Sequence, residues 1–385
     1  MTLLIKNARV LIGASFQNVQ VLAGAGRVLA IAEDMPTCFD HCEVIDARGH
    51  YLLPGILDQH VHLIGGGGEA GFHTRTPEVQ LGQLVRGGIT TVMGLLGTDG
   101  VTRHVESLFA KVMGLRNEGL SAYMVTGSYE VPTVTITGSV SRDMTFIEPV
   151  LGLKTAISDH RSSAPTTSEL VRMATLARSA SLLTQKPGLV VLHLGNAASV
   201  LSPLYAVLDQ CDVPVSHFLP THVNRKRALF DDALHYAKSR NGNIDITSGI
   251  SPVVGASGSV KPSECILEAL NNGISLAQLT FSSDGNGSIP AFNEQGEVVG
   301  LEVAGFDSLM GEVKDLSRDL PLEQAWSVVS SNVATRLQLS RKGRIAVGAD
   351  ADFVMLDEEL NLHSVWAMGK RMMSQGQLCV KGTFE

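Results

Sequence analysis

Residues 90–127 read TTVMGLLGTDGVTRHVESLFAKVMGLRNEGLSAYMVTG. The stretch opens and closes on short apolar runs, TTVMGLL and LSAYMVTG, without the strict alternation of a strand that has one wet face. Such runs suit strands buried on both sides. Between them RHVESLFAKVMGLRNEG is helix-like and ends on a glycine, so the unit reads strand, helix, strand. The same alternation continues outward. EVQLGQLVRGG precedes it, and SELVRMATLARSAS, LVVLHLG, PVSHFLPTH, LFDDALHYAKSRNG, NIDITSG and LAQLTFSSDG follow. Repeated βα units with continuous apolar strands predict a parallel sheet, and their number over about 55–340 favours a closed (β/α)8 TIM-like barrel over an open sheet.

The two ends of the chain differ from this middle. LLIKNARVL, VQVLAGAGRVLAIA and CEVIDARGHYLLP are short β-like runs broken by turns, and GRIAVGADADFVML and HSVWAMGKRMMSQGQLCV behave alike. We therefore expect a small β-sandwich module from residues 1–54 plus 340–385, with the barrel at 55–339 inserted between its halves.

Composition narrows the function classes. With 30 Lys+Arg against 38 Asp+Glu the formal charge is −8, and no cluster of basic residues offers a phosphate-binding groove, so a nucleic-acid partner is not expected. At 44% apolar and 18% charged residues the chain can bury a large core. No run of about 18 uncharged apolar residues occurs and the first residues lack a signal-peptide pattern, which predicts a cytoplasmic protein without a membrane partner. The cysteines, Cys38, Cys42, Cys211, Cys265 and Cys379, are odd in number and scattered, unlike a secreted disulfide framework. Cys38 and Cys42 flank His41 closely enough to suggest a metal clip, but no second pair follows at zinc-ribbon spacing.

The residues that could carry chemistry stand at the ends of the apolar runs, where barrel active sites are built. His60 and His62, in GILDQHVHLIGGGG, are two apart on a strand and so face one side, able to reach one metal ion. Two polar residues closing a strand is the plainer explanation of that pair alone. His193 ends LVVLHLG, either as a hydrogen-bonded core histidine or as a ligand. Of His217 and His222 in PVSHFLPTHVNR only one is expected to face a shared site, and spacing does not choose between them. Asp284 in LTFSSDGNGS is either a turn former or a carboxylate at a strand end. Lys154 sits in VLGLKTAI, an apolar run. There it either snorkels to the surface or, buried, becomes a neutral amine able to take up CO2 as a carbamate, whose two oxygens could bridge two divalent ions.

Taken together, PGILDQHVH, Lys154, His193, His222 and Asp284, framed by a split β module, resemble the amidohydrolase superfamily. More narrowly, HVHLIGGGGEAGFHTRTPEV, GLLGTDGVTRH, TGSYEVPTVTITGSV, THVNR and SSDGNGSIP are similar to the isoaspartyl dipeptidases, over almost the whole length. The resemblance implies two Zn2+ ions, one held by His60, His62 and Asp284 and the other by His193 and His222, with Lys154 bridging them as a carbamate. It thereby selects His222 over His217. It further implies that Glu69 binds the α-amino group of a β-aspartyl dipeptide and that Tyr129 polarises the scissile carbonyl. Arg161 and Arg225 would grip carboxylates, and Gly67, Thr98 and Ser288 would add smaller contacts. A metal-bridging hydroxide would attack the β-carbonyl while Asp284 carries the proton to the leaving amine. The implied assembly is a higher homo-oligomer, an octamer by that resemblance.

Two competing expectations follow from the same residues. A cyclic-amide or N-acyl-amino-acid hydrolase of the dihydroorotase, hydantoinase or deacetylase type would keep the metal site but leave Glu69 without an evident purpose. A metal-free scaffold on the same fold would have lost ligands, whereas all six positions are filled. Phe72 and His73 lie near the expected amine site without an assignable role, and residues 34–44 match nothing in the family pattern.

Overall fold

Eight short segments carry buried residues on both faces, and each supplies one strand of a parallel barrel. The computed structural model of the chain describes residues 2–36, 41–292 and 298–385. We number its barrel strands β1 (Ile56–Val61), β2 (Ile89–Gly94), β3 (Ser121–Thr126), β4 (Val150–Ile157), β5 (Leu189–Leu194), β6 (Phe218–Thr221), β7 (Ile244–Thr247) and β8 (Leu279–Ser282). They pair in sequence order and in parallel, as right-handed βαβ crossovers require. The ring closes at the β1–β8 seam, where His62 N–H donates to Gly285 O at 3.0 Å and Ser283 N–H to Asp58 Oδ1 at 3.2 Å. The expected (β/α)8 architecture is therefore present.

The crossover helices begin and end where local chemistry dictates. The helix Thr167–Thr184 starts at a capping box, in which Thr166 N–H donates to Glu169 Oε2 at 2.8 Å while Glu169 N–H donates to Thr166 Oγ1. The helix Val105–Glu118 stops at Gly119, whose φ of 105° only glycine adopts readily. Among the described residues no helix is long and apolar enough to cross a membrane.

Both chain ends build a second sheet of nine strands. Thr2–Ile12, Ser15–Gly24, Arg27–Ala32, Cys42–Asp46 and Tyr51–Pro54 come from the front of the chain. Phe353–Leu356, Leu362–Ala367, Lys370–Ser374 and Gln377–Leu378 come from the back. The halves join where Leu53 pairs antiparallel with Val354. The stretch CEVIDARGHYLLP is two strands, because Arg48 and Gly49 turn the chain with φ of 50° and 83°. Instead of two separate sheets, one continuous sheet curls until Val28 N–H meets Ala349 O at 2.9 Å, enclosing a core of Leu3, Ile5, Val21, Leu52, Phe353 and Trp366. A hairpin, Ser288–Phe292 with Val298–Val303, follows β8 and was not foreseen in the sequence.

Candidate active site

The C-terminal mouth of the barrel gathers the strand-end residues. His60 and His62 leave β1 on the same face, with ring centroids 6.0 Å apart. His62 Nε2 stands 3.1 Å and His60 Nε2 3.5 Å from Asp284 Oδ1, and these three side chains form a group that could hold a metal ion. His222, just past β6, stacks edge-on to His60 and His193 at 4.7 and 4.8 Å, and its Nδ1 lies 3.9 Å from Asp284 Oδ2. Both His222 and Asp284 adopt left-handed backbone, with φ of 64° and 55°. That conformation costs about 1 kcal/mol or more in a non-glycine residue and recurs where side chains must be aimed.

Lys154 is wholly buried in β4, so its ammonium does not snorkel to the surface, and Nζ lies 3.1 Å from His60 Nε2. Burial, helped by the charges of Arg161 and Arg225 against that of Asp284, pulls its pKa down to about 7. Burial also holds His60, His193 and His222 well below the ordinary histidine range, so their nitrogens keep lone pairs at neutral pH. For Asp284 burial acts upward, but the hydrogen bond with His62 and the nearby His60, His62 and Lys154 outweigh it and keep the carboxyl ionised. Neutral imidazoles, an ionised carboxylate and a deprotonatable amine around one point are a donor set that fits a divalent cation.

His217 lies elsewhere. It sits in the turn leading into β6, at the opposite end of the barrel from the mouth, with Nδ1 against Gly188 O at 2.9 Å. Of the residues whose spacing suggested a metal clip, Cys38 lies outside the described residues, and Cys42 Sγ points to Glu43 O at 3.7 Å.

Around the cluster stand the residues expected to touch substrate. Tyr129 is buried, and its hydroxyl lies 2.6 Å from His193 Nδ1; burial raises its pKa, so the hydroxyl keeps its proton. Glu69 Oε1 accepts from Thr98 Oγ1 at 3.0 Å and from Arg161 Nη1 at 3.3 Å. Arg225 Nη1 approaches to within 3.8 Å of Asp159. Gly67, with φ of 71°, packs against Ser288, where an added Cβ would lie 3.0 Å from Ser288 Cβ. Phe72 and His73 form an exposed single turn on the same loop.

Sequence reasoning missed the residues that hold these in place. Thr247 Oγ1 lies 2.7 Å from His222 Nδ1, and Thr221 Oγ1 joins Asp245 Oδ2 at 2.7 Å to His60 Nδ1 at 3.4 Å. Asn286 donates to His62 O at 2.9 Å and to Pro77 O at 2.8 Å, while Thr76 Oγ1 donates to Asn286 O at 2.8 Å. Buried Arg103 donates to Gly66 O at 2.9 Å and Thr76 O at 3.1 Å. The available signal was a carboxylate or hydroxyl inside an apolar strand, as in NIDITSG.

This fold and mouth define a hydrolase of the amidohydrolase class, and residues 229–364 match the amidohydrolase family model. The β-aspartyl dipeptidase of Fervidobacterium islandicum AW-1, whose structure was determined in complex with β-Asp-Leu, is 38% identical over 98% of each chain with a TM-score of 0.90. An allantoinase of Bacillus licheniformis is 25% identical over 92% of this chain and 87% of its own. A D-hydantoinase structure shares the fold at a TM-score of 0.71 and 18% identity, over 100% of this chain and 98% of that one. Within the amidohydrolase superfamily, this chain belongs to the β-aspartyl dipeptidases.

Proposed function

We propose that the protein is a zinc-dependent, cytoplasmic, homo-oligomeric dipeptidase that hydrolyses β-aspartyl dipeptides. The observation that carries this reading is the set of charges turned to the mouth: one partly exposed acid, Glu69, with two guanidiniums, Arg161 and Arg225, whose far side faces the buried Asp159, beside a buried His/Lys/Asp cluster. A β-aspartyl dipeptide has one ammonium and two carboxylates, which these three side chains match in number and sign. In an α-linked peptide the ammonium and carboxylate fall elsewhere, and a buried charge without its partner loses several kcal/mol.

His60, His62 and Asp284 would hold one ion and His193 and His222 a second, with Lys154 between them as a carbamate. Bound there, the metal pair supplies water acidified to near neutral pH and Lewis-acid polarisation of the scissile carbonyl. The chain's own groups do the rest. Glu69 takes the α-ammonium, and Arg161 and Arg225 fix the carboxylates, so that the β-carbonyl is presented to the cluster in one orientation. Asp284, ionised, accepts the proton of the attacking water on a carboxylate oxygen and returns it to the leaving amine. Tyr129 keeps its phenolic proton and donates it as a hydrogen bond to the developing oxyanion. Gly67 and Ser288, packed against each other, would add smaller contacts to the substrate, as would Thr98, which also donates to Glu69.

The test compares β-Asp-Leu with α-Asp-Leu on zinc-loaded protein in the presence of bicarbonate, alongside Glu69→Gln. We expect cleavage of the β-linked peptide alone, with kcat/KM in the variant down by about tenfold to a hundredfold or more, the scale of a lost charge pair. Bound metal with neither peptide cleaved would reject the dipeptidase reading in favour of cyclic or N-acyl amides. Light scattering of the same sample measures the assembly.

A further inference from the structure

The loops after β4 and β5 converge on one carboxylate that has no part in the chemistry above. Asp159 lies two residues past β4 and is 7% exposed. Its Oδ1 accepts from the backbone N–H of Arg161 at 2.8 Å and from Arg161 Nε at 3.0 Å, and its Oδ2 accepts from Arg161 Nη2 at 2.7 Å. His193 Nε2 lies 2.8 Å from that same Oδ2, and Arg225 Nη1 lies 3.8 Å away. Gly195, just past β5, permits this approach, because a Cβ there would fall 2.6 Å from Asp159 Cγ.

The contacts settle which nitrogen of His193 carries the proton. Nε2 is also 3.3 Å from Arg161 Nη2. Were it accepting from that guanidinium, its bare lone pair would stand against a carboxylate oxygen at the shorter distance of 2.8 Å, so Nε2 must be the N–H that donates to Asp159. Nδ1 is then the nitrogen with a free lone pair. It accepts from the Tyr129 hydroxyl in this structure and is the atom a metal can use. Arg161, meanwhile, is gripped along its Nε/Nη2 edge, which leaves Nη1 to face Glu69 and an incoming carboxylate.

We propose that Asp159 is a positioning residue that sets the His193 tautomer and the Arg161 guanidinium plane with one carboxylate, so that metal retention and substrate-carboxylate binding depend on the same side chain. The substrate half of this rests on the dipeptidase reading; the metal half does not.

Asp159→Asn keeps the shape and removes the charge. In the full-length, cobalt-loaded protein we expect metal loss to a chelator to speed up by about tenfold or more, with a changed cobalt absorption spectrum. With cobalt in excess, KM for β-Asp-Leu should rise by a larger factor than kcat falls. Gly195→Ala leaves every charge in place and crowds Asp159, and it should shift both readouts in the same direction. A folded Asp159→Asn protein whose metal loss and KM both equal the parent's overturns the proposal, as does a lowered melting temperature with neither readout moved. The chelator and spectral measurements need no substrate. A parent protein inert towards β-Asp-Leu would therefore end the dipeptidase reading while those measurements still decide the role of Asp159.

Discussion

At the scale of single residues, Lys154 carries the sharpest consequence. A lysine amine must be neutral to take up CO2, and the ordinary value of 10.5 leaves almost none neutral at pH 7. Burial in β4 brings the pKa down to about 7, so the neutral fraction climbs about tenfold per pH unit below that value and levels off above it. At constant dissolved CO2, the rate at which metal-stripped protein regains activity on adding bicarbonate and zinc should follow that curve. A rate still climbing at pH 9 would contradict it, and Lys154→Met should recover no activity. The lysine itself was legible in VLGLKTAI, but whether it snorkels or stays inside depends on the strand's two buried faces. The choice between His217 and His222 was equally closed to spacing, since the two differ only in which end of β6 they flank.

At the scale of elements, the site is held by loops latched across the seam between β1 and β8. Asn286 is 1% exposed, with a φ of 62°, and ties the Asp284 turn to His62 and Pro77. Asn286→Ala removes the bond to Pro77 O and one of the two donors to His62 O, which keeps the Gly65 N–H at 2.8 Å, and places a residue with a Cβ but no local hydrogen bond in left-handed backbone, for a loss of roughly 1–3 kcal/mol. Because Asp284 is two residues away, metal affinity should fall as well, by about tenfold. Denaturant unfolding with and without zinc measures both. If the stabilisation by zinc equals that of the parent, the latch does not serve the metal site. The strands themselves were readable as apolar runs, whereas these latches join residues far apart in sequence and leave no local pattern.

At the scale of the whole molecule, the terminal sheet is pinned to the bottom of the barrel. Lys342, 4% exposed, sits 2.9 Å from Asp350, donates to Asp352, and donates to Ser121 Oγ at 2.6 Å where β3 begins. Lys342→Met leaves Asp350 with Arg27 and Arg341 but, among the described residues, leaves buried Asp352 with only the Met368 N–H. The expected cost is about 3 kcal/mol of stability, because removing one partner of a buried pair strands a charge. The site lies at the other end of the strands, so kcat/KM per folded molecule should not change. Unfolding curves and active-site titration separate the two quantities, and a drop in kcat/KM would show that the module communicates with the mouth.

By itself the sequence determined the elements and the inventory of the site. Strand type follows from runs buried on both faces, helix limits from caps and glycines, and the candidate ligands from polar residues closing apolar strands, all of which are local properties of the chain. Tertiary structure alone decided what those residues do to one another. Ring closure at Gly285, the edge-on meeting of His60, His193 and His222, the depth at which Lys154 sits and the convergence of Arg161, Arg225 and His193 on Asp159 all depend on barrel geometry. Burial and the direction of a hydrogen bond are set by neighbours distant in sequence, and they fix which nitrogen holds a proton and which amine can lose one.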